Sequence, residues 1–321
     1  MPKPKLVAFT LHQHPNPKAP VVVLIPGVGC GCSFWASALA PLTPDYTVLT
    51  FSNPGVCGAP AANLFTVEEL AFDILSVLED FGITKCHMVG HSMGGYIAQR
   101  LCRLRPDIVD RLVLISTSYG GRATDQDITN VLSYMLPIWP KQRKLVRTNP
   151  YEAFKFAVGR DTPERNPEGY AAFVENRTNP KTPEEVYAAH FFCAIKFSGL
   201  AGLPNLTMPT LVIHGNDDNI IAFEAGKEMA SRLPNARFIE KDCGHCPPFE
   251  DPNMYADIRT FLQGGKIGQV LPKAAPLTAK ELREDAIWKR RRMGTLRMTA
   301  LFALSKGLPV GVQHWIKSFT G

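Results

Sequence analysis

The segment Cys86-His-Met-Val-Gly-His-Ser-Met-Gly-Gly95 is the most informative part of this chain. Cys86 to Val89 is an apolar run of strand length, and Met93 to Leu104 has the length and period of a helix. The residues between and beside them fit the pattern G-x-S-x-G around Ser92. The two glycines leave room for a tight strand-to-helix turn that exposes the serine hydroxyl at the carboxyl end of the strand. The alternative interpretation is a glycine-rich turn without chemistry.

Apolar runs on either side of this stretch extend the pattern. Five more of them, rich in β-branched residues, predict strands at Val21 to Ile25, Tyr46 to Phe51, Arg111 to Ile115, Thr210 to Ile213 and Ala236 to Ile239. Segments of helical period lie between several of them, such as Val67 to Phe81. Continuous apolar strands that alternate with helices indicate an α/β fold with a parallel sheet covered on both faces.

The alternation is interrupted after Ile115, because about ninety residues precede the next strand, too many for a bare loop. Helical patches in this interval lie near Asp127 to Leu136, Tyr151 to Val158, Pro167 to Asn176 and Pro183 to Phe197. We therefore predict a core formed by residues 1–120 and 206–264 and a helical cap at 121–205. A Gly/Pro/Lys-containing linker then leads into a C-terminal extension, 265–321.

The serine at the turn needs partners, since a hydroxyl is a weak nucleophile near neutral pH without a base and an acid that orients the base. The expected chain order is serine, acid, histidine. The strand starting at Thr210 ends in two adjacent aspartates, Asp217 and Asp218, and the pattern leaves open which is the acid. His245 follows the last predicted strand and precedes the last helix. We predict Ser92 as nucleophile and His245 as general base.

With these residues the chain resembles the cap-bearing α/β-hydrolases, a group that includes enol-lactone hydrolases, carboxylesterases, cofactor-free haloperoxidases and carbon–carbon bond hydrolases. The resemblance covers about residues 6 to 263. The family's H-G-x-x-D turn falls on His214-Gly-Asn-Asp-Asp218, which implies Asp218 as the acid. The resemblance also implies an α/β-hydrolase fold, with a mostly parallel sheet flanked by helices and an inserted cap. Related families with an aspartate nucleophile are disfavoured by Ser92.

An acyl-transfer enzyme also needs two backbone N–H donors that bind the oxyanion. Met93, directly after the nucleophile, supplies the first. The resemblance supplies the second, because Ile25-Pro-Gly-Val-Gly-Cys30 is similar to the family's H-G-x-G loop with Pro26 in place of histidine, and the donor falls on Val28. An ordinary turn explains the two glycines of this loop equally well.

One loop departs from the family's pattern. The family's D-x-R-G-x-G-x-S appears as Ser52-Asn-Pro-Gly-Val-Cys-Gly-Ala59, without the acid, the arginine and the final serine. We expect the loop to keep its shape and transfer no carboxylate-binding role to it.

The eight cysteines do not indicate a disulfide framework in a chain of this length, so reduced thiols are expected. Five lie on loops that the fold brings toward the site: Cys30, Cys32, Cys57, Cys243 and Cys246. The C-x-x-C around His245 has a zinc-ligand spacing, but His245 cannot easily serve both a metal and Ser92. We predict an apolar or redox-sensitive lining, with no metal and no cofactor. None of the other seven histidines, His91 and His190 included, is assigned a role.

Charge is concentrated at the C-terminus. The net charge is +6, and residues 265–321 hold eleven Lys/Arg against three Asp/Glu, which leaves the rest of the chain at −2. A nearly neutral core argues against nucleic acid as the main substrate. No signal-peptide pattern or membrane-spanning run is found, so a cytoplasmic protein is expected. Residues 280–317 have the composition of an interfacial membrane helix, and a solvated helix packed on the core or a dimer contact explains them as well.

Together these features predict a serine hydrolase that forms an acyl-enzyme on Ser92 from a small or medium ester, lactone or thioester. Carbon–carbon bond or amide hydrolysis, or transfer to an acceptor other than water, uses the same three side chains. The alternative from another class is a binding module that keeps the fold as a ligand pocket. Sequence leaves the oligomeric state open.

Overall fold

A mostly parallel sheet lies at the centre of the molecule. The computed structural model describes residues 5–62, 65–121, 144–179 and 182–286. The strands of these ranges are β1 (Ala8–His12), β2 (Val21–Ile25), β3 (Thr47–Ser52), β4 (Cys86–His91), β5 (Val109–Ile115), β6 (Thr210–Gly215) and β7 (Ala236–Lys241). They lie in the order β1-β3-β2-β4-β5-β6-β7, with β1 antiparallel to β3 and the other neighbours parallel.

The six predicted strands are confirmed, with bounds within two residues of those expected. β1 was not predicted, and its position at the sheet edge explains why. None of its five residues is fully buried, so it lacks the continuous apolar run of the central strands. An edge strand paired on one side only has no need of such a run.

Both faces of the sheet are covered by helices. These are α1 (Ala36–Leu42), α2 (Val67–Asp80), α3 (Met93–Leu104) and, later in the chain, Phe223–Arg232 and Met254–Leu262. Val23 and Ile25 of β2 belong to the hydrophobic cluster that includes α2 and α3, whereas Val22 and Leu24 belong to the cluster that includes α1 and Met254–Leu262. Alternate side chains of one strand are thus buried on opposite faces, which requires an unbroken apolar strand.

Helices also occupy the interval between β5 and β6. Residues 144–148 are helical, followed by α4 (Pro150–Phe154), α5 (Thr162–Arg165), α6 (Pro167–Thr178) and α7 (Glu184–Ile195). We call the described residues between 144 and 205 the helical insertion. The helix expected at 127–136 lies outside the described residues, and the cap boundaries of 121–205 stay a prediction. After β6 come α8 (Phe223–Arg232), α9 (Pro247–Glu250) and α10 (Met254–Leu262).

The first part of the C-terminal extension packs on the core. The Gln269 backbone pairs with Phe238 of β7, and the buried Asp285 accepts a hydrogen bond from Ser198 Oγ at 2.6 Å. Residues 287–321, which hold most of the predicted membrane contact, lie outside the described residues. Within the described ranges, every helix is too short or too polar to cross a bilayer.

Candidate active site

Ser92 lies in the sharp turn between β4 and α3. Its backbone has φ 54° and ψ −122°, a conformation that costs energy for a residue with a side chain. The turn is tight because its glycines lie against backbone: a Cβ at Gly94 would be 2.1 Å from the Ile25 carbonyl oxygen, and one at Gly90 would be 2.5 Å from the Gly94 carbonyl oxygen. The Ser92 N–H donates to the Ile115 carbonyl at 2.9 Å, which fixes the turn to β5.

His245 lies beside the serine. It occupies the loop between β7 and α9, and its Nε2 is 3.0 Å from Ser92 Oγ. Both side chains are buried, with Ser92 7% and His245 6% exposed. The distance and the ring position suit transfer of the hydroxyl proton to Nε2.

Asp218 lies on the other side of the imidazole. His245 Nδ1 is 2.8 Å from Asp218 Oδ2, and Oδ1 accepts the backbone N–H groups of Ile220 and Ile221 at 2.8 and 2.9 Å. Burial acts to raise the pKa of Asp218, but His245 and His214, whose Nε2 is 3.3 Å from Oδ2, more than offset burial and hold that pKa below its usual range. An ionised Asp218 accepts the Nδ1–H, which leaves Nε2 free to accept the serine proton.

The neighbouring aspartate faces elsewhere. Asp217 Oδ2 accepts the Arg160 backbone N–H at 2.7 Å, and its side chain is 30% exposed, against 0% for Asp218. Of the two aspartates that the sequence pattern left open, the structure brings Asp218 to His245.

Glu250 is hydrogen-bonded to the loop between β7 and α9 that carries His245, here called the histidine loop. Its side chain accepts the backbone N–H groups on both sides of His245, from Gly244 and Cys246, each at 2.8 Å. It also accepts Gly159 N–H at 2.7 Å and Thr162 Oγ at 2.6 Å from the helical insertion. A buried carboxylate with four donors is satisfied only while all four groups stay in place, so it fixes the loop to the insertion.

His91, next to Ser92 in the chain, also hydrogen-bonds to the loop that carries His245. Its Nε2 is 2.8 Å from the His245 carbonyl oxygen, and burial lowers the pKa of His91 to about 3. The neutral ring donates its Nε2–H to that carbonyl.

Replacing Glu250 with glutamine is expected to loosen this loop. One oxygen becomes an NH₂ group that cannot accept, so at least one buried N–H or hydroxyl loses its partner, and the free energy of unfolding falls by about 1–3 kcal/mol. Displacement of the imidazole lowers kcat by about tenfold or more. Urea unfolding and ester kinetics measure the two effects. The matched control is Glu224→Gln on α8, whose carboxylate is 77% exposed. An E250Q protein as stable and active as E224Q would contradict the role given to Glu250.

The two predicted oxyanion donors belong to segments that adjoin Ser92. Met93 is the first residue of α3, where backbone N–H groups have no partner within the helix. Val28 lies in the loop after β2, and that loop lies against Ser92, because a Cβ at Gly27 would be 3.0 Å from Ser92 Cβ. Within the ranges that the structure describes, neither the Val28 nor the Met93 N–H donates to a protein atom.

All eight cysteines are free thiols. Cys30 Sγ accepts a hydrogen bond from Arg177 at 2.8 Å, and burial raises the pKa of Cys30 and of Cys246. Among the described residues, no group of three or more His, Cys, Asp and Glu side chains is arranged to bind a metal ion. The C-x-x-C motif around His245 is therefore not part of a metal-binding cluster among the described residues.

Comparisons with known proteins show what this chain is similar to. The family model of the alpha/beta hydrolase fold matches residues 20–252. A relative from Stutzerimonas stutzeri named "Putative carbamate hydrolase RutD" is 27% identical over 266 residues, or 82% of this chain and 98% of that protein. A 2-hydroxy-6-oxononadienedioate/2-hydroxy-6-oxononatrienedioate hydrolase from a Pseudomonas species is 28% identical over 252 residues, or 73% of this chain and 84% of that protein.

Solved structures agree on the fold. The enol-lactonase from Burkholderia xenovorans superposes with a TM-score of 0.67 at 23% identity, covering 80% of this chain and 96% of that chain. Because the family match extends over well more than half of its length, the chain belongs to the alpha/beta hydrolase fold family.

Proposed function

We propose that the protein is a serine hydrolase that cleaves a small or medium carboxylic ester, lactone or thioester. The observation that supports this most is the continuous hydrogen-bonded series from Ser92 through His245 to Asp218. A hydroxyl, an imidazole and a buried carboxylate in this order can activate the oxygen for attack on a carbonyl.

The reaction has two halves. Ser92 Oγ forms a bond to the carbonyl carbon while its proton passes to His245 Nε2, and the resulting oxyanion accepts the N–H groups of Val28 and Met93. The bond to the leaving group then breaks, and His245 returns its proton to that group. Water next attacks the acyl carbon and gives a proton to Nε2, after which the acyl–Oγ bond breaks and Ser92 regains the proton. Asp218 stays ionised throughout and stabilises the imidazolium.

A second candidate is hydrolysis of a carbamate or of a carbon–carbon bond. It is favoured by the names of the two relatives, which are 27% and 28% identical to this chain. Both reactions can use the same three side chains, so the site geometry does not separate them from ester cleavage. A non-catalytic ligand-binding protein is the alternative of another class, and it gives no reason for the imidazole to be held between serine and aspartate.

Turnover of p-nitrophenyl esters of increasing chain length, together with simple lactones, tests the proposal. We expect saturable hydrolysis of at least the short esters, a burst of p-nitrophenol, and an acyl adduct on Ser92 in acid-quenched protein. Turnover of carbamates or of dienol ketones faster than any ester or lactone would favour the second candidate. No turnover and no adduct would favour the binding protein.

A further inference from the structure

The loop Pro26–Cys30, here called the 26–30 loop, contains the Val28 N–H that the proposed mechanism uses. A peptide unit is planar and trans, so its C=O and N–H point in opposite directions. The side chains that hydrogen-bond to the peptide groups of this loop therefore decide where its N–H groups point. These side chains come from the residue after β3 and from the helical insertion.

Asn53, just after β3, holds the first part of the loop. Its Nδ2 donates to the Pro26 carbonyl at 3.2 Å and to the Gly27 carbonyl at 2.8 Å, and the side chain is buried. The Gly27 carbonyl belongs to the same peptide unit as the Val28 N–H. Because that carbonyl points at Asn53, the Val28 N–H points away from it.

His190, on α7 of the insertion, holds the next peptide unit. The Gly29 N–H is 2.9 Å from His190 Nδ1, and His190 Nε2 is 2.8 Å from the Pro54 carbonyl oxygen. Nε2 must be the donor to a carbonyl, so Nδ1 is the acceptor of the Gly29 N–H. The ring is fully buried, and burial lowers the pKa of His190 to about 4, which keeps the ring neutral.

Two more residues of the insertion complete the contact. Arg177 Nη1 donates to the Val28 and Gly29 carbonyls at 3.2 and 3.1 Å, and Thr182 Oγ donates to the Gly29 carbonyl at 3.0 Å. The Val28–Gly29 peptide unit is thus held at its C=O by Arg177 and at its N–H by His190. It cannot rotate without breaking both bonds.

We propose that Asn53 and His190 are positioning residues that hold the 26–30 loop with the Val28 N–H directed at the oxyanion of the reaction. The inference rests on the proposed function. Through His190, the helical insertion then contributes to the rate of the chemical step, in addition to any effect on substrate access.

Two variants remove the hydrogen-bonding atoms and keep the shape of the side chain, branched at Cγ for Asn53 and a planar ring for His190. Asn53→Leu removes the amide donor, and His190→Phe removes the acceptor of the Gly29 N–H. His190→Gln is the conservative variant, because its amide offers both an acceptor and a donor. His87→Phe is the matched control, since His87 is a buried histidine within β4, away from this loop.

The assays are kcat and KM for p-nitrophenyl butyrate, the affinity for an alkyl boronic acid that forms a tetrahedral adduct with serine, and the melting temperature. We expect Asn53→Leu and His190→Phe to lower kcat about 10- to 100-fold and to weaken boronate binding by a similar factor. The change in KM stays below about threefold. His190→Gln recovers most of the kcat, and His87→Phe changes the melting temperature alone.

The inference is overturned if both variants keep wild-type kcat and boronate affinity and only melt earlier, because the contacts are then structural. If His190→Phe does not fold, Asn53→Leu decides the matter alone, since it acts on a different peptide unit. A wild-type protein without turnover or boronate binding would overturn the proposed function together with this inference. An active wild type with unaffected variants would overturn the inference only.

Discussion

Replacing Ser92 with alanine is expected to abolish ester hydrolysis, with kcat reduced on the order of 10⁴-fold or more. The variant lacks the oxygen that forms the proposed acyl-enzyme, and the rest of the site cannot replace it. Stability should be unchanged or slightly increased, because alanine in place of serine at φ 54° leaves the glycine contacts of the turn intact. Steady-state kinetics and urea unfolding measure both quantities.

The chain offers a matched control for this substitution. Ser116, at the end of β5, is a buried serine that also has positive φ, 44°, and its hydroxyl has no hydrogen-bond partner among the described residues. Ser116→Ala should keep kcat within about twofold. Residual S92A activity close to that of S116A would show that the hydrolysis does not proceed through Ser92.

Asp218→Asn is expected to lower kcat by about 10³- to 10⁴-fold while KM changes little. The amide keeps the shape of the side chain, but it can present an NH₂ group to His245 Nδ1. The imidazole then carries its proton on Nε2 and cannot accept the one from Ser92. Steady-state kinetics of D218N and of the wild type in the same buffer measure the loss.

Asp217→Asn is the control for this second prediction. Its carboxylate lies against the Arg160 backbone and is partly exposed, so the substitution should change kcat by less than about threefold. If D217N lost more activity than D218N, the acid would have been assigned to the wrong aspartate.

The sequence was sufficient for the central sheet and for the turn at Ser92. Buried parallel strands need unbroken apolar runs, and the turn needs glycine where Gly90 and Gly94 meet backbone atoms. β1 was not predicted because an exposed edge strand lacks that pattern. Asp218 was separated from Asp217 only by the family resemblance, since adjacent carboxylates look alike in a single sequence.

The residues that hold the site in place could not be predicted. His190 lies 161 positions from Gly29, its hydrogen-bond partner, and Arg177 lies 149 positions from Val28. No local pattern indicates such pairs, because they depend on how the helical insertion returns to the sheet. Asn53 lies in the loop that departs from the family's pattern, and its amide side chain donates to the backbone of the 26–30 loop. Glu250 likewise accepts from groups far apart in the chain, Gly159 and Thr162 of the helical insertion and Gly244 and Cys246 of the histidine loop.

Covalent labelling with a fluorophosphonate probe, followed by peptide mass spectrometry, tests whether Ser92 is a nucleophile activated by His245. We expect one probe per chain, located on the peptide that contains Ser92, and labelling slowed at least about 100-fold in His245→Ala. An unlabelled wild-type protein, a label on another residue, or an undiminished rate in H245A would contradict the account.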